Sequence, residues 1–126
     1  MRSARGLAAI AAALTTLSCT DLPLDTGGGS GGDFDIGVGS GTQPSYSWEG
    51  GNAFEVSVVR TANQTLLAWG IANPTNRSIT SPVRHGSVPS GSHELADRER
   101  TLTRGVRYRV TVKLANGDQA FQDFTP

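Results

Sequence analysis

Apolar and polar residues alternate most regularly near the C-terminal end of the chain. Val106, Tyr108, Val110, Val112 and Leu114 are apolar, and the residues between them are polar or charged. A period of two predicts a β-strand with one face in a core and the other face in water. The sequence therefore predicts an all-β domain organised around this strand.

Shorter stretches with related patterns precede and follow this strand. Clear strands are predicted at residues 45–49, 54–60, 66–72 and 119–124. The segment 79–89 contains two prolines and fits only an edge strand or an irregular crossing. The C-terminal part of the segment 93–102 predicts a seventh strand, with a helical turn around 94–100 as the alternative. About seven short strands separated by turn signals are typical of an antiparallel sandwich of two sheets.

One face of these strands supplies the predicted core. Its principal members are apolar or aromatic residues at alternating positions: Phe54, Trp69, Tyr108, Val110 and Val112. Trp69 is the largest of them, so we expect it to be fully buried. The folded domain is predicted to span residues 45–126, because the composition changes sharply before that point.

The residues from Leu102 to Val112 follow the pattern Leu-x-x-Gly-x-x-Tyr-x-Val-x-Val. This pattern resembles the corner between strands E and F of fibronectin type III and related immunoglobulin-like sandwiches. The resemblance implies a tyrosine corner, in which the Tyr108 hydroxyl bonds to upstream backbone. Val110 occupies the position where an antibody domain has its second cysteine, which favours the fibronectin type III branch.

The N-terminal residues 1–18 have the pattern of an export signal. Arg2 and Arg5 precede a short apolar run from Leu7 to Leu17, which is too short to span a bilayer. The run ends in Thr16-Leu17-Ser18-Cys19, which resembles the lipobox of bacterial lipoproteins, although Thr16 departs from the usual aliphatic residue. The resemblance implies lipid, palmitate included, on Cys19. An ordinary cleaved signal with an unmodified cysteine is the alternative.

The residue after Cys19 bears on where such a lipoprotein would reside. Thr20 follows the cysteine, and an aspartate does not. By resemblance to Gram-negative lipoproteins, this implies sorting to the outer membrane.

Residues 19–44 then contain eight glycines between positions 27 and 41. Such a composition buries little apolar surface, so a flexible, disordered linker is predicted between the anchor and the domain.

The charged and nucleophilic residues suggest no chemistry. The chain has 11 basic and 11 acidic residues, and residues 45–126 carry a net charge of +2, so no nucleic-acid partner is expected. Cys19 is the only cysteine, which excludes an intrachain disulfide. His85 and His93 alone lack the spacing of a metal site, and His85 is predicted on the surface or on an edge strand. The outward face of the C-terminal strand carries a row of basic residues that could attract anions: Arg107, Arg109 and Lys113. The preferred interpretation of this row is that its charges simply face solvent.

The sequence therefore predicts a protein without catalytic activity, metal or cofactor. Its expected role is that of an interaction or structural module in the cell envelope, anchored to the membrane through Cys19. Its partner would be an envelope protein or a polysaccharide. The alternative is an accessory domain that binds carbohydrate or another envelope polymer and works with a separate enzyme. Exposed aromatic side chains would favour that alternative, and Tyr46 and Trp48 are its candidates.

Overall fold

The computed structural model describes residues 29–126, and within them it contains strands and loops but no helix. In chain order the strands are β1 (Ser30–Gly32), β2 (Ile36–Val38), β3 (Ser45–Trp48), β4 (Ala53–Arg60), β5 (Asn63–Ala72), β6 (Val83–Arg84), β7 (His93–Asp97), β8 (Tyr108–Leu114) and β9 (Gln119–Phe124). They form two antiparallel sheets, as expected for an all-β protein. The arrangement is consistent with a β-sandwich.

The larger sheet has six strands in the order β1-β9-β8-β4-β5-β7, and the smaller has three in the order β2-β3-β6. Consecutive strands β4 and β5 pair as a hairpin, and so do β8 and β9. The strand β4 also pairs with β8, which brings together segments that are far apart in sequence. The centre of the large sheet is therefore β8 and β4, where the alternating pattern is clearest.

The core lies between the two sheets. Val56 and Val58 of β4 lie opposite Val112 and Val110 of β8, and none of the four has exposed surface. Because these residues are spaced two apart along each strand, their four side chains lie on the same face of the sheet. Tyr46 of the small sheet reaches across to the large one, and its ring centroid lies 6.5 Å from that of Trp69. Trp69 and Tyr108 are also fully buried.

Phe54 does not occupy the core position predicted for it. The pairing of β4 with β8 shifts register between Ala53 and Glu55, so Phe54 is the extra residue at an irregularity in the ladder. Such a bulge turns a side chain away from the direction that simple alternation predicts. Phe54 is half-buried instead, and the Arg77 guanidinium lies over its ring at 5.6 Å from the centroid.

The start of the ordered domain is also earlier than predicted. Residues 29–44 were expected to belong to the disordered linker, but they contain β1 and β2. Ile36 of β2 is only 6% exposed and joins the core, which gives this short strand an apolar anchor. Gly31 of β1 lies against the ring of Phe121, where a Cβ atom would come within 2.7 Å of the ring. Glycine here permits a close approach of two strands and does not indicate flexibility.

These two strands bring the number to nine in the described residues, where the sequence predicts about seven. The strand predicted near the end of segment 93–102 lies instead at its beginning, in β7, and no helical turn forms there. The predicted signal segment 1–18, the predicted lipid-attachment residue Cys19 and the first part of the predicted linker lie outside the described residues.

Candidate functional site

His85 was predicted on the surface or on an edge strand; it directly follows the edge strand β6, but the prediction of a surface position was wrong. It is 1% exposed and lies between the sheets. Its Nε2 is 2.7 Å from the carbonyl oxygen of Glu99, and its Nδ1 is 2.9 Å from the Tyr46 hydroxyl. A carbonyl only accepts, so Nε2 carries the proton and donates, and the Tyr46 hydroxyl donates to Nδ1. Both nitrogens of a neutral imidazole are thus satisfied inside the protein.

Glu99 is the second centre of this polar network, and it extends the network from the buried His85 towards the surface. Its carboxylate accepts two hydrogen bonds from the Arg60 guanidinium, each 2.8 Å long, and one of 2.7 Å from the Tyr108 hydroxyl. The hydrogen bonds from Arg60 are the main reason that the pKa of Glu99 lies below its usual range. The Tyr108 hydroxyl also accepts from the backbone N–H of Thr103 at 2.8 Å. The hydroxyl of Tyr108 therefore returns to upstream backbone.

These groups are better suited to structure than to chemistry. A general acid or base must reach a substrate atom, directly or through one water. Both ring nitrogens of His85 are already engaged inside the core, and burial lowers the pKa of the imidazole. Burial also raises the pKa of Tyr46, which keeps its hydroxyl protonated as the donor to His85. The network ties the small sheet, through Tyr46, to the loop that contains Glu99.

We expect this network to make stability depend on pH. The pKa of His85 is lowered in the folded protein, so the unfolded chain binds a proton more readily. Stability is then fully present above the unfolded value of about 6.5 and falls as the pH decreases below it. One such proton limits the slope to about 1.4 kcal/mol per pH unit. Urea unfolding at pH 5.0–7.5 should show this decline.

Two variants test the assignment of that slope to His85. His85→Gln removes the titrating group and should flatten the decline between pH 7 and pH 5, although it lowers stability overall. His93→Gln removes the exposed histidine, retains His85 and should keep the wild-type slope. An equal slope in wild type and His85→Gln would contradict the interpretation.

The outward row of β8 is occupied by ion pairs. Arg109 Nε lies 2.7 Å from a carboxylate oxygen of Asp123, and Arg107 lies 3.9 Å from the same carboxylate group. Lys113 Nζ lies 3.7 Å from Glu55. Arg109 also covers the ring of Phe121, at 4.0 Å from its centroid. Asp123 and Glu55 offset most of this positive charge, so the row is a poor candidate for binding anions.

Tyr46 and Trp48 are not the exposed aromatic pair considered for carbohydrate binding. Tyr46 has no exposed surface, and Trp48 is 6% exposed. Both lie on the inward face of β3, and the indole N–H of Trp48 donates to the carbonyl oxygen of Gly51 at 2.9 Å. Neither ring can act as a flat platform for a sugar.

A groove on the outer side of the small sheet is the best-formed candidate site. It has a volume of about 500 Å³. Its lining consists of Phe34, Asp35, Gly37, Ser47, Trp48 and Glu49. Gly37 and Ser47 are cross-strand partners in β2 and β3, and both are exposed. A Cβ atom on Gly37 would lie 2.6 Å from Ser47 Oγ, so the glycine keeps this part of the groove open.

The polar side chains of this groove have no partner in the described part of the chain. No hydrogen bond or ion pair within residues 29–126 engages the side chains of Asp35, Ser47 or Glu49. Pairing of Ile36 with Trp48 brings Asp35 and Glu49 to adjacent positions just beyond the ends of β2 and β3. Sequence reasoning missed this groove because it assigned Asp35 and Gly37 to a linker. The pairing of two distant segments is what creates the site.

A second hollow, of about 350 Å³, lies near the free end of the β4–β5 hairpin. Its lining is mainly apolar and includes Leu66, Leu67 and Ala68, with Arg60 and Arg98 beside them. Leu66 is 46% exposed. The Arg60 and Glu99 side chains at this hollow already bind one another, so fewer of its polar groups are free than in the groove on the small sheet.

The described residues contain neither a metal-binding cluster nor a membrane-spanning helix. Within residues 29–126, no set of three or more His, Cys, Asp or Glu side chains is placed to hold a metal ion. The same residues include no helix of the length and hydropathy that a membrane crossing needs. Comparisons with protein-family models, with curated proteins and with solved structures find no match to this chain.

Proposed function

We propose that this protein is a non-catalytic interaction module of the cell envelope, tethered to a membrane through Cys19. The groove on the small sheet is its contact surface. One observation carries the proposal: Asp35, Ser47 and Glu49 line an open groove without internal partners. By contrast, His85, Glu99, Arg109 and Asp123 are engaged in internal contacts. A concave surface that combines aromatic side chains with a few convergent polar groups is the usual form of a binding site.

The absence of catalysis is part of this proposal. Its support is that the two groups that could serve as acid or base are already engaged in structural contacts: His85 is buried between the sheets, and the half-buried Glu99 carboxylate binds Arg60 and Tyr108. A screen of the purified protein against ester, phosphate, peptide and glycoside substrates should give no turnover. Turnover of any of these substrates that Glu49→Gln abolishes would overturn the non-catalytic reading.

We further propose that the domain is a sandwich of the fibronectin type III or immunoglobulin-like type. The order β9-β8-β4-β5 matches G-F-C-C′ of such domains, and β2-β3-β6 matches A-B-E. The hydrogen bond from the Thr103 N–H to the Tyr108 hydroxyl fits a tyrosine corner. Three features depart from the pattern: β1 pairs with β9, β7 pairs with β5, and Trp69 lies on β5 rather than on the strand equivalent to C.

The membrane anchor gives a direct prediction. Cys19→Ser should release the protein from the membrane fraction or block its processing, because lipid chains on Cys19 are the proposed attachment. Wild-type protein should sediment with outer membranes, and its mature N-terminus should be Cys19 carrying diacylglycerol in mass spectrometry. Cleavage at another residue with a free Cys19 thiol would contradict the proposed anchor.

The groove can be tested without knowing the partner. Ser45 and Ser47 lie on the same exposed face of β3, two residues apart, but only Ser47 lines the groove. Ser47→Trp should fill the groove, and Ser45→Trp is the matched control. After chemical crosslinking in intact cells, the adducts formed by wild type should persist in Ser45→Trp and disappear in Ser47→Trp. Adducts that are equal in both variants would place the contact surface elsewhere.

A further inference from the structure

We infer that the groove on the small sheet binds a sugar ring of a glycan that bears no negative charge. This inference rests on the proposed function, since it names the ligand class of the same surface. Three properties of the groove carry it: its hydrogen-bonding groups, its charge and its aromatic lining.

The hydrogen-bonding groups of the groove are mainly acceptors. The carboxylates of Asp35 and Glu49 accept only, and the Ser47 hydroxyl both accepts and donates. A ligand that fits them must supply several donors at close spacing. The hydroxyl groups of a sugar ring do so, and an ionised acceptor strengthens each of the hydrogen bonds formed.

The charge of the groove disfavours anionic ligands. Asp35 and Glu49 are brought next to one another across β2 and β3, and residues 29–126 provide neither with a cation. Like charges in such positions destabilise a strand pair, so this arrangement has a local cost. An added anion 4 Å from either carboxylate would be repelled by about 1 kcal/mol in water, and by more in a partly dry groove. Phosphorylated polymers and uronic acid polymers are therefore disfavoured.

The aromatic residues give the groove an apolar portion. Phe34 is half-buried and lines it, and Trp48, which is 6% exposed, contributes a small area. A sugar ring has C–H groups on its faces and hydroxyl groups on its rim, so it can contact Phe34 and the carboxylates together. A volume of about 500 Å³ falls in the range of sites that enclose ring-sized ligands.

A basic peptide is the main competing occupant. A single lysine ammonium group could satisfy both carboxylates, but its narrow aliphatic stem would leave Ser47 without a partner and much of the groove empty. The ring-shaped ligand uses the hydroxyl, the carboxylates and Phe34 at once. The combination of these groups thus favours a glycan over a peptide.

Calorimetric titration of the full chain in detergent tests the inference. The probes are cellotetraose, chitotetraose, the C6-oxidised uronate of cellotetraose, and tetralysine. At least one neutral tetrasaccharide should bind, and for cellotetraose the uronate, with the same rings and linkages, should bind at least tenfold more weakly. The double variant Asp35→Asn, Glu49→Gln should weaken neutral binding at least tenfold. Ser47→Trp should abolish it, and Ser45→Trp should retain it.

The remaining outcomes overturn the inference. They are no binding of either neutral tetrasaccharide, binding of the uronate as tight as that of cellotetraose, and binding of tetralysine alone. Unfolding midpoints of the variants within a few degrees of wild type exclude misfolding as a cause of lost binding. If the crosslinked adducts in cells are lost in Ser47→Trp while no sugar binds, the proposed function stands and the ligand class is wrong. If those adducts are equal in both tryptophan variants, the proposed function itself fails.

Discussion

Trp69→Ala is expected to lower the free energy of unfolding by about 3–5 kcal/mol, which is the usual range for removal of a fully buried large aromatic residue. Trp69 has no exposed surface. Its ring centroid lies 4.7 Å from that of His85 and 6.5 Å from that of Tyr46, so its loss leaves a cavity where the two sheets meet. The indole N–H also donates to Glu94 at 3.2 Å, and this contact to the edge strand β7 would be lost too.

This loss is large for a domain of this size. Single domains are stable by about 5–15 kcal/mol, so Trp69→Ala could leave a substantial unfolded fraction at 37 °C. Urea unfolding followed by circular dichroism measures the loss in the free energy of unfolding. Phe54→Ala is the comparison variant, because Phe54 is half-buried at a bulge and should contribute clearly less. A loss for Trp69→Ala no larger than that for Phe54→Ala would contradict the central position of Trp69.

The sequence was most informative where one strand repeats a simple pattern. In β8 the alternation is unbroken from Tyr108 to Leu114, and every inward residue is buried. The hairpin from β8 to β9 was predictable because Asn116-Gly117 favours a tight turn, and Gly117 indeed has a φ of +99°. Such features depend on neighbours in sequence, so local reasoning is sufficient for them.

Local reasoning failed where a residue's environment is set by distant segments. Phe54 belongs to an alternating stretch, and only the register of the neighbouring strand makes it the extra residue of a bulge. His85 lies in a proline- and glycine-rich segment that gives no sign of burial, yet Tyr46 and Glu99 enclose it. The candidate site was missed for the same reason. Asp35 and Glu49 become neighbours only through the pairing of β2 with β3.

The glycine-rich segment is the clearest instance of this limit. Its composition is that of a flexible linker, but pairing with partner strands and the burial of a few apolar side chains, Ile36 above all, give it order. Glycines at positions 31 and 37 leave room for Phe121 and for Ser47, so in this part of the chain they favour close packing. Composition alone does not distinguish these two uses of glycine.

A truncated chain that begins at Ser45 is expected to lose most of its stability relative to a chain that begins at Gly29. The shorter chain lacks β2, whose Ile36 is buried, and it leaves the backbone edge of β3 without its partner strand. Removing one buried isoleucine side chain alone costs about 2–5 kcal/mol. The packing of Phe34 and Val38 against the core is lost as well.

The same truncation removes hydrogen bonds that protect the edge of β9. The Asp33 N–H donates to the carbonyl oxygen of Gln119, and the Asp33 carboxylate accepts from the Gln119 N–H. Without β1 this edge of the large sheet has unpaired backbone groups, so the shorter chain should also tend to aggregate.

Thermal unfolding and amide NMR spectra of the two truncated chains provide the measurement. The chain from Gly29 should unfold cooperatively with dispersed signals, and the chain from Ser45 should be largely unfolded or associated. Ile36→Ala in the longer chain separates the apolar contribution from the hydrogen bonds, and it should account for part of the loss. Equal midpoints for both chains would restore the domain boundary at residue 45, since β1 and β2 would then contribute nothing to the fold. A loss confined to the truncated chain, with Ile36→Ala neutral, would instead assign the stability of this edge to the β1–β9 pairing.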